Sequence, residues 1–282
     1  MPTGQYACLL QNRCIAEQCR LQPYPLILYN RRPYKIIFVY LCHIAKIYSM
    51  QLYYAPDIER DNELPEAESQ HCIKVMRLGI GDEICATDGN GFLYKAKISS
   101  TSGKRCKVEI FEKSQPGKGR DYGLEIAIAP TKNNDRTEWF VEKSTEVGID
   151  KIDFIKCRFS ERKEIKCDRM EKIAVAAMKQ SLKLYKPELT EMTDFCNMIN
   201  APFNGQKFIA HCHPGDKKAL KEVCLPGTNT LILIGPEGDF SKEEVELAKK
   251  AGFIEVTLGS SRLRTETAAL VACVTVQIIN EK

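Results

Sequence analysis

The segment LILIGPEGDF at residues 231–240 decides the fold. Its first four residues, Leu231–Ile234, have the composition and length of a buried strand. They run into a Gly-Pro-Glu-Gly turn, after which Ser241 and Glu244 form a capping box that predicts a helix start. In open α/β sheets, ligands bind where parallel strands end in such turns. An ordinary strand–turn–helix connection is the alternative that this segment alone leaves open.

A second segment, LGSSRLRTETAAL at residues 258–270, repeats the order of strand end, polar loop and helix. Thr265 or Thr267 is predicted to cap the final helix, which is apolar enough to be buried on most sides. Arg264 and Glu266 then lie beside the core, where unpaired charge costs free energy. A bound ligand, or a mutual Arg–Glu pair that merely caps the helix, would offset that cost.

Around these segments, the C-terminal part of the chain alternates strands with helices. Such alternation predicts an α/β fold with a mostly parallel sheet covered on both faces. The predicted strands are Leu124–Ala129, Ile152–Ile155, Lys207–Ala210, Leu231–Ile234 and Glu255–Leu258. The predicted helices are Asp135–Val147, Asp168–Leu184, Lys242–Lys250 and Thr267–Ile279.

The part of the chain before this alternation is β-rich. The Asp-Gly-Asn-Gly sequence at residues 88–91 predicts a tight hairpin. The predicted elements are the strands Leu52–Tyr54, Glu83–Thr87, Phe92–Ser99 and Lys107–Lys113 and the helix Glu66–Arg77. We therefore expect a small barrel-like domain at 50–114, a Pro/Gly-rich linker at 115–121 and a larger domain at 122–282.

Residues 1–49 differ from the rest in composition. They hold six basic residues, one acidic residue and four cysteines, without a helical or strand period. We interpret them as a non-native or disordered extension, with Met50 as the natural start. A targeting segment and a membrane anchor at residues 26–48 are the alternatives. No apolar run approaches the roughly 20 residues of a membrane-spanning helix.

Charge and cysteine content limit the possible partners and cofactors. The net charge is +4 and is concentrated in residues 1–49, so nucleic-acid binding requires a local basic patch. The 13 cysteines include no C-x-x-C pair, which predicts reduced thiols in a cytoplasmic protein and no zinc site. The sequence His211-Cys212-His213 is not expected to bind a metal, because neighbouring residues on a strand point to opposite faces.

Together, the two segments resemble the signature loops of the SPOUT class of methyltransferases, and more closely the ribosomal RNA small subunit methyltransferase E family. The resemblance extends from about Met50 to the C-terminus. Its other motifs are Lys143-x-x-Glu146-Val-Gly148, Ser160-Glu161-Arg162, Gln180-Ser181, His213-Pro214, His71-x-x-x-Val75-x-Arg77, Gly81-Asp82 and Asp88-Gly89.

The resemblance implies a C-terminal SPOUT trefoil-knot domain preceded by a PUA-like RNA-binding β-barrel. It also implies a homodimer that uses S-adenosylmethionine to methylate N3 of a uridine in 16S RNA of the small ribosomal subunit. The residues that it assigns to the cofactor are Ile234, Gly235, Pro236, Glu237, Gly238, Leu258, Gly259, Leu263, Arg264, Thr265 and Thr267.

Uracil N3 carries a proton, so the reaction requires a group that accepts it or stabilises the anion. We expect Arg264 to stabilise charge on the base and Glu266, or else Glu237, to orient or accept the proton. The family usually has Arg where this chain has Lys183, and the two side chains are not equivalent at a bidentate contact. Asp239 replaces a frequent glycine, which we expect to be a mild change.

The front domain is expected to bind RNA. His71, Lys74 and Arg77 have helical spacing on one face, and Arg162 joins them through the resemblance. Lys95, Lys97, Lys104, Arg105 and Lys107 add positive charge that could contact phosphates. An ordinary solvated charged face is the alternative.

Three other functions remain open at this stage. A Rossmann-type methyltransferase would need a glycine-rich loop after its first strand, where this chain has Pro130-Thr-Lys-Asn. The others are a non-catalytic RNA-binding module for ribosome assembly and a related enzyme that methylates ribose or guanine.

Trp139 and Phe140 are expected in the core or a dimer interface.

Overall fold

The computed structural model describes residues 51–281, which form two compact units. The first comprises residues 51–88 and 92–117, and the second comprises residues 89–91 and 118–281. The extension expected at residues 1–49 lies outside the described residues. None of the helices described is long and apolar enough to cross a membrane.

A four-stranded sheet forms the first unit. Its strands are Leu52–Tyr54 (β1), Glu83–Thr87 (β2), Leu93–Ser100 (β3) and Lys107–Ser114 (β4), in the order β1-β2-β3-β4. The first pair is parallel and the other two are antiparallel. The predicted hairpin between β2 and β3 is confirmed, and Gly89 and Gly91 adopt φ angles of 82° and 98° there. Buried residues such as Tyr53, Ile58 and Tyr94 form the core of this unit.

The helical segment of the first unit only partly matches the prediction. After a short helix at Ile58–Asp61 (α1), an α-helix occupies Glu66–Gln70 (α2) and continues as a wide π-helical turn at His71–Val75. Arg77 lies outside the helix with φ 56°. The expectation that His71, Lys74 and Arg77 share one face is therefore wrong. Residues at positions i, i+3 and i+6 share a face only in a regular α-helix with 3.6 residues per turn, and this segment is not one.

Eight parallel strands form the sheet of the second unit, which confirms the predicted α/β class. They are Leu124–Ile128 (β5), Lys151–Lys156 (β6), Glu188–Leu189 (β7), Thr193–Asp194 (β8), Gln206–Ala210 (β9), Lys218–Ala219 (β10), Thr230–Ile234 (β11) and Ile254–Thr257 (β12). The order is β10-β12-β9-β11-β5-β6-β7, with β8 also paired to β6. The trefoil knot stays a prediction.

Helices cover both faces of this sheet, as predicted. They are Asn134–Val147 (α3), Cys167–Gln180 (α4), Phe195–Asn200 (α5), Leu220–Val223 (α6), Lys242–Lys250 (α7) and Thr265–Asn280 (α8). Alternate residues of β5 enter different cores: Ile126 packs with α3, α4 and α8, whereas Ala127 packs with α5 and α7. This alternation follows from the two-residue period of a strand.

Two helices differ from the sequence prediction, one in where it ends and the other in how far it is buried. The helix α4 ends at Gln180 instead of Leu184, because the Ser181 hydroxyl donates back to the Ala177 carbonyl (2.7 Å) and Leu182 adopts φ 54°. The helix α8 is buried along one face, as at Ala272, while Ile278 is 62% exposed. Its apolar composition therefore does not bury it on most sides within this chain.

Candidate active site

Three loops meet at the carboxyl edge of the parallel sheet. The strands β9, β11 and β12 pair in register, so the loops that follow them leave from the same edge. These loops, at residues 211–217, 235–240 and 258–264, enclose a cleft of about 930 Å³. This is the place and size expected of a ligand site in an open α/β sheet.

Most residues predicted to bind the cofactor line this cleft. They are Ile234, Gly235, Pro236, Glu237, Gly238, Leu258, Gly259, Leu263, Arg264 and Thr265. Thr267 instead lines a smaller pocket of about 290 Å³. The structure therefore brings together residues from two segments that are at least 20 positions apart in the sequence.

Contacts inside the protein fix the turn at residues 235–240. A Cβ atom on Gly235 would lie 3.1 Å from the buried ring of Phe240. A Cβ atom on Gly238 would lie 3.0 Å from the Cβ atom of Phe159. The space that a Cβ would need at these glycines is therefore occupied by the protein's own aromatic residues.

Two acidic side chains tie this turn to neighbouring loops. Asp239 adopts φ 63°, a left-handed conformation that Asp tolerates better than most residues. Its carboxylate accepts hydrogen bonds from the backbone N–H groups of Cys212 and Phe240, both at 2.8 Å. Glu237 accepts one from the Lys132 N–H at 2.9 Å. Glu237 therefore already has a partner, which favours Glu266 as the candidate proton acceptor.

The loop at residues 258–264 is more open. Gly259 has φ 133°, and no atom lies within 4 Å of the position of a Cβ there. The following helix α8 begins at Thr265, with Arg264 in the N-cap position. No side chain caps this helix end, so the prediction that Thr265 or Thr267 caps it is wrong. Its first backbone N–H groups thus lack the side-chain partner that usually satisfies them.

Arg264 and Glu266 do not pair with each other. Arg264 is exposed, and its side chain has no hydrogen bond or ion pair within residues 51–281. Glu266 is buried, at 7% exposure, and its Oε1 lies 3.9 Å from Nε of Arg136. Its Oε2 is buried without a hydrogen-bond partner among the residues described. The mutual Arg–Glu cap considered from the sequence is therefore absent from the described structure.

The loop at residues 211–217 forms a further wall of the cleft. Lys217 Nζ donates to the carbonyl oxygens of His211 (2.7 Å) and His213 (2.6 Å) and lies 3.2 Å from His211 Nδ1. Burial, and then the nearby Lys217, lower the pKa of His211. With Nδ1 accepting from the lysine, the neutral ring donates from Nε2 to Glu255 (3.1 Å). Lys217 therefore stabilises the shape of the loop.

These histidines lie beyond the end of β9 at Ala210, not on a strand as assumed from the sequence. His213 Nε2 is 2.7 Å from the carbonyl oxygen of Phe240. Within residues 51–281, no group of three or more His, Cys, Asp or Glu side chains is arranged to hold a metal ion.

Sequence reasoning did not identify the residues of α3 that approach the cleft. Arg136 lines both the cleft and the smaller pocket, and Trp139 lines the smaller pocket with 39% exposure. Phe140 is fully buried in the core, which is one of the two positions expected for it from the sequence. An Arg and a Trp three residues apart share a helix face, but only the pairing of α3 with α8 reveals what they contact.

Arg162, expected to bind RNA, contacts protein backbone instead of being free. Its Nε donates to the Thr131 carbonyl (3.0 Å) and its Nη2 to the Lys132 carbonyl (2.7 Å). It thereby fixes the loop that enters α3. Lys132 and Arg162 also line a shallow surface pocket of about 430 Å³.

In the first unit, the expected RNA-binding residues have mixed surroundings. Lys74 and Arg77 are exposed, whereas His71 is half-buried and its Nδ1 has no described hydrogen-bond partner. The nearby positive charge is partly neutralised, since Lys95 pairs with Glu112 at 3.0 Å. Lys74, Arg77, Lys104 and Lys107 are exposed, and no ion pair is described for them within residues 51–281.

Lys183 lies away from the cleft. Its Nζ is 3.5 Å from the position of a Cβ on Gly148, and no ion pair or side-chain hydrogen bond of it occurs within the described residues. Burial, followed by repulsion from Arg120, lowers the pKa of this ammonium group. Lys183 therefore lies close to a second cation, Arg120, near α8.

Comparison with known proteins supports the two-unit organisation. Residues 120–277 match the family model described as an RNA methyltransferase domain. Residues 64–111 match the model described as an RNA methyltransferase PUA domain. A ribosomal RNA small subunit methyltransferase E of Buchnera aphidicola is 31% identical over 219 residues, covering 74% of this chain and 85% of that protein.

Solved structures show the same fold. A protein of Porphyromonas gingivalis assigned as an rRNA methyltransferase has a TM-score of 0.77 and 42% identity, covering 81% of this chain and 98% of that chain. A methyltransferase of Legionella pneumophila, solved with bound S-adenosylmethionine, has a TM-score of 0.70 and 26% identity. The match covers 77% of this chain and 91% of that one.

Proposed function

The chain belongs to the ribosomal RNA small subunit methyltransferase E family, and we propose that it methylates N3 of one uridine in the 16S RNA of the small ribosomal subunit. S-adenosylmethionine-dependent methylation of ribosomal RNA is the activity of this family. The choice of uridine N3 is the specific part of the proposal. The observation that supports it most is the joint position of Arg264 and a buried carboxylate, Glu266, beside the cleft.

The cleft fits the cofactor in size and in chemistry. Its volume of about 930 Å³ and its apolar lining, including Ile234, Leu258 and Leu263, suit an adenosine group. The uncapped N-terminus of α8 offers backbone N–H donors, which suit a carboxylate. When bound, S-adenosylmethionine supplies a sulfonium methyl group that accepts the N3 electron pair while the sulfur leaves as a thioether.

Arg264 and Glu266 are assigned complementary roles in this proposal. The N3 proton of the uracil moves to Glu266 Oε2, the carboxylate oxygen that has no partner among the described residues. The Arg264 guanidinium, which is exposed and unpaired there, stabilises the negative charge left on the base. Binding the base beside the methyl donor supplies much of the remaining acceleration, because orientation alone can lower the barrier strongly.

The substrate RNA is proposed to contact both units separately. Lys74 and Arg77 of the first unit are exposed cations suited to phosphate contacts. In the second unit, we assign Arg162 a supporting role, since its guanidinium is already bonded to two carbonyl groups. From the family resemblance, we also propose that the chain forms a homodimer, that its second unit contains the trefoil knot, and that it acts in the cytoplasm.

The proposal is tested by transfer of labelled methyl groups. The full chain is incubated with labelled S-adenosylmethionine and small ribosomal subunits from a strain that lacks the modification, and the RNA is then digested to nucleosides. Labelled N3-methyluridine is the expected product. Another labelled nucleoside would reject the proposed target atom. Absence of both transfer and cofactor binding would favour a non-catalytic RNA-binding module.

A further inference from the structure

The smaller pocket of about 290 Å³ lies beside the cofactor cleft within the second unit. It shares Arg136 and Arg264 with the cleft. Its other lining residues are Asp135, Trp139, Glu266 and Thr267. Its volume is at the lower end for small-molecule sites, which suits a single planar ring better than a whole cofactor.

Glu266 gives this pocket an acceptor that lacks a donor. Glu266 is only 7% exposed to solvent, and its Oε2 has no hydrogen-bond partner among the described residues. Arg136 Nε is 3.9 Å from the other oxygen, which is too far for a hydrogen bond. The first turn of α8 favours negative charge at this position. A buried anionic oxygen without a donor is costly, so a ligand N–H group would stabilise it.

Trp139 gives the same pocket an aromatic surface. It lies three residues after Arg136 on α3, so the two side chains share a helix face. The indole is 39% exposed and lines the pocket together with four charged residues. A partly exposed aromatic ring of this kind provides a stacking surface for a nucleobase.

We propose that this pocket receives the target uracil, which stacks on Trp139 and donates its N3–H group to Glu266 Oε2. Arg136, whose Nε lies 3.9 Å from the other carboxylate oxygen, adds a long ion pair beside it. This inference rests on the proposed uridine target. It adds the location of the base and the residue that stacks against it.

The arrangement also selects the base. Uracil N3 carries a hydrogen and donates, whereas cytosine N3 is a bare acceptor that the carboxylate repels. A site built to accept one hydrogen bond strongly rejects an analogue that cannot donate it. The methylated product has also lost this N–H group, so it should leave the pocket more readily than the substrate base enters it.

The chain contains a single tryptophan, so its fluorescence reports on this pocket. The full chain, saturated with S-adenosylhomocysteine, is titrated with uridine 5′-monophosphate, with excitation where the nucleotide does not absorb. We expect saturable quenching of Trp139. Cytidine 5′-monophosphate and N3-methyluridine 5′-monophosphate should bind at least about tenfold more weakly, because each leaves the buried oxygen without a donor.

Two matched substitutions separate stacking from mere packing. Trp139→Phe keeps an aromatic ring and should retain the affinity for uridine 5′-monophosphate, measured by nucleotide-observed NMR. Trp139→Leu should weaken it about tenfold, as expected when one base loses its aromatic partner. Glu266→Gln should reduce the preference for uridine over cytidine, because an amide both donates and accepts. Unchanged affinity for S-adenosylhomocysteine shows that each variant is folded.

Equal quenching by the uridine and cytidine nucleotides, or no quenching by either, would overturn the inference. The labelled-transfer experiment distinguishes this failure from failure of the proposed function. If RNA gains N3-methyluridine at the normal rate with Trp139→Leu, the pocket assignment fails alone. If the wild-type chain labels a different nucleoside, the proposed target itself fails.

Discussion

The two segments that frame the cleft satisfy their polar groups to different degrees. In the turn at residues 235–240, both carboxylates accept backbone hydrogen bonds, as Asp239 does at 2.8 Å. In residues 258–266, the Arg264 side chain and one oxygen of Glu266 lack partners within the part of the chain described. The carboxylates of the first segment are thus satisfied by backbone groups of the protein, whereas the second segment keeps polar groups that are available to a ligand.

This difference suggests a division of labour. Groups that are already bonded in the protein contribute to stability, and unsatisfied groups beside a cleft are available for binding and catalysis. Substitutions in the turn should therefore lower the free energy of unfolding. Substitutions in the second segment should lower activity while leaving the fold intact. Substitutions at Arg264, Gly235, Gly238 and Asp239 test this division.

The largest effect is expected from Arg264→Ala. Removing a group that stabilises transition-state charge lowers kcat by about 100- to 1,000-fold. The free energy of unfolding should change by less than about 0.5 kcal/mol, because the side chain is exposed and unpaired within the described residues. Single-turnover methyl transfer and urea unfolding measure the two quantities. Lys250→Ala, at an exposed position on α7, is the matched control. A normal rate in a variant that binds cofactor would remove Arg264 from the mechanism.

Gly235→Ala should lower the free energy of unfolding by about 1–3 kcal/mol, the usual cost of overpacking. The added Cβ would lie 3.1 Å from Phe240, which is fully buried and has little room to move. Gly238→Ala is the comparison, and it should cost less because the Cβ of Phe159, its nearest neighbour, belongs to an exposed turn whose backbone can shift. Urea unfolding of both variants checks the order. The reverse order would show that the turn is not held as described.

Asp239→Ala should cost about 1–2 kcal/mol of stability, because two backbone N–H groups lose their carboxylate acceptor. Alanine also tolerates φ 63° less well than aspartate. Asp239→Asn keeps only one of the two acceptor oxygens, because Oδ2 accepts from Cys212 and Oδ1 from Phe240, so it should recover about half of the loss. Thermal unfolding of the two variants makes the comparison. Full recovery by asparagine would show that one of the two hydrogen bonds contributes nothing to the turn.

The smallest effect, with the opposite sign, is expected for Lys183→Met. This ammonium is half-buried and unpaired within the described residues, and it lies away from the cleft. Its removal should leave stability unchanged or raise it by up to about 1 kcal/mol, since an apolar replacement needs no partner. A clear loss of stability would show that Lys183 has a stabilising role here.

The same residue gives a pH dependence. Because burial lowers the pKa of Lys183 in the folded state, the unfolded chain binds the proton more tightly. Wild-type stability should therefore rise as the pH increases from the lowered pKa towards the ordinary lysine value. Lys183→Met should lack this rise. Urea unfolding at a series of alkaline pH values compares the two proteins.

The sequence predicted local features of the site well. Ser241 and Glu244 form the expected capping box, with the two reciprocal hydrogen bonds at 2.8 and 3.2 Å. The predicted strands β5, β9 and β11 are found within one or two residues of their expected ends. These features depend on neighbouring residues, so a short window of sequence contains the information.

Features that depend on distant contacts were missed or wrong. The approach of Arg136 to Glu266 joins α3 to α8 across 130 positions, and no local pattern indicates it. The N-cap position of Arg264 was assigned to a threonine, although no side chain caps this helix. The π-helical turn at His71–Val75 likewise disrupts a face that the sequence spacing alone predicts.

The most direct test of the account is a crystal structure with S-adenosylhomocysteine bound. We expect the ligand in the cleft of the second unit, with its carboxylate near the first turn of α8 and its sulfur facing the pocket of Trp139 and Glu266. The turn at residues 235–240 should keep its internal hydrogen bonds. A ligand bound elsewhere, or a turn that rearranges while residues 258–266 stay unchanged, would contradict the account.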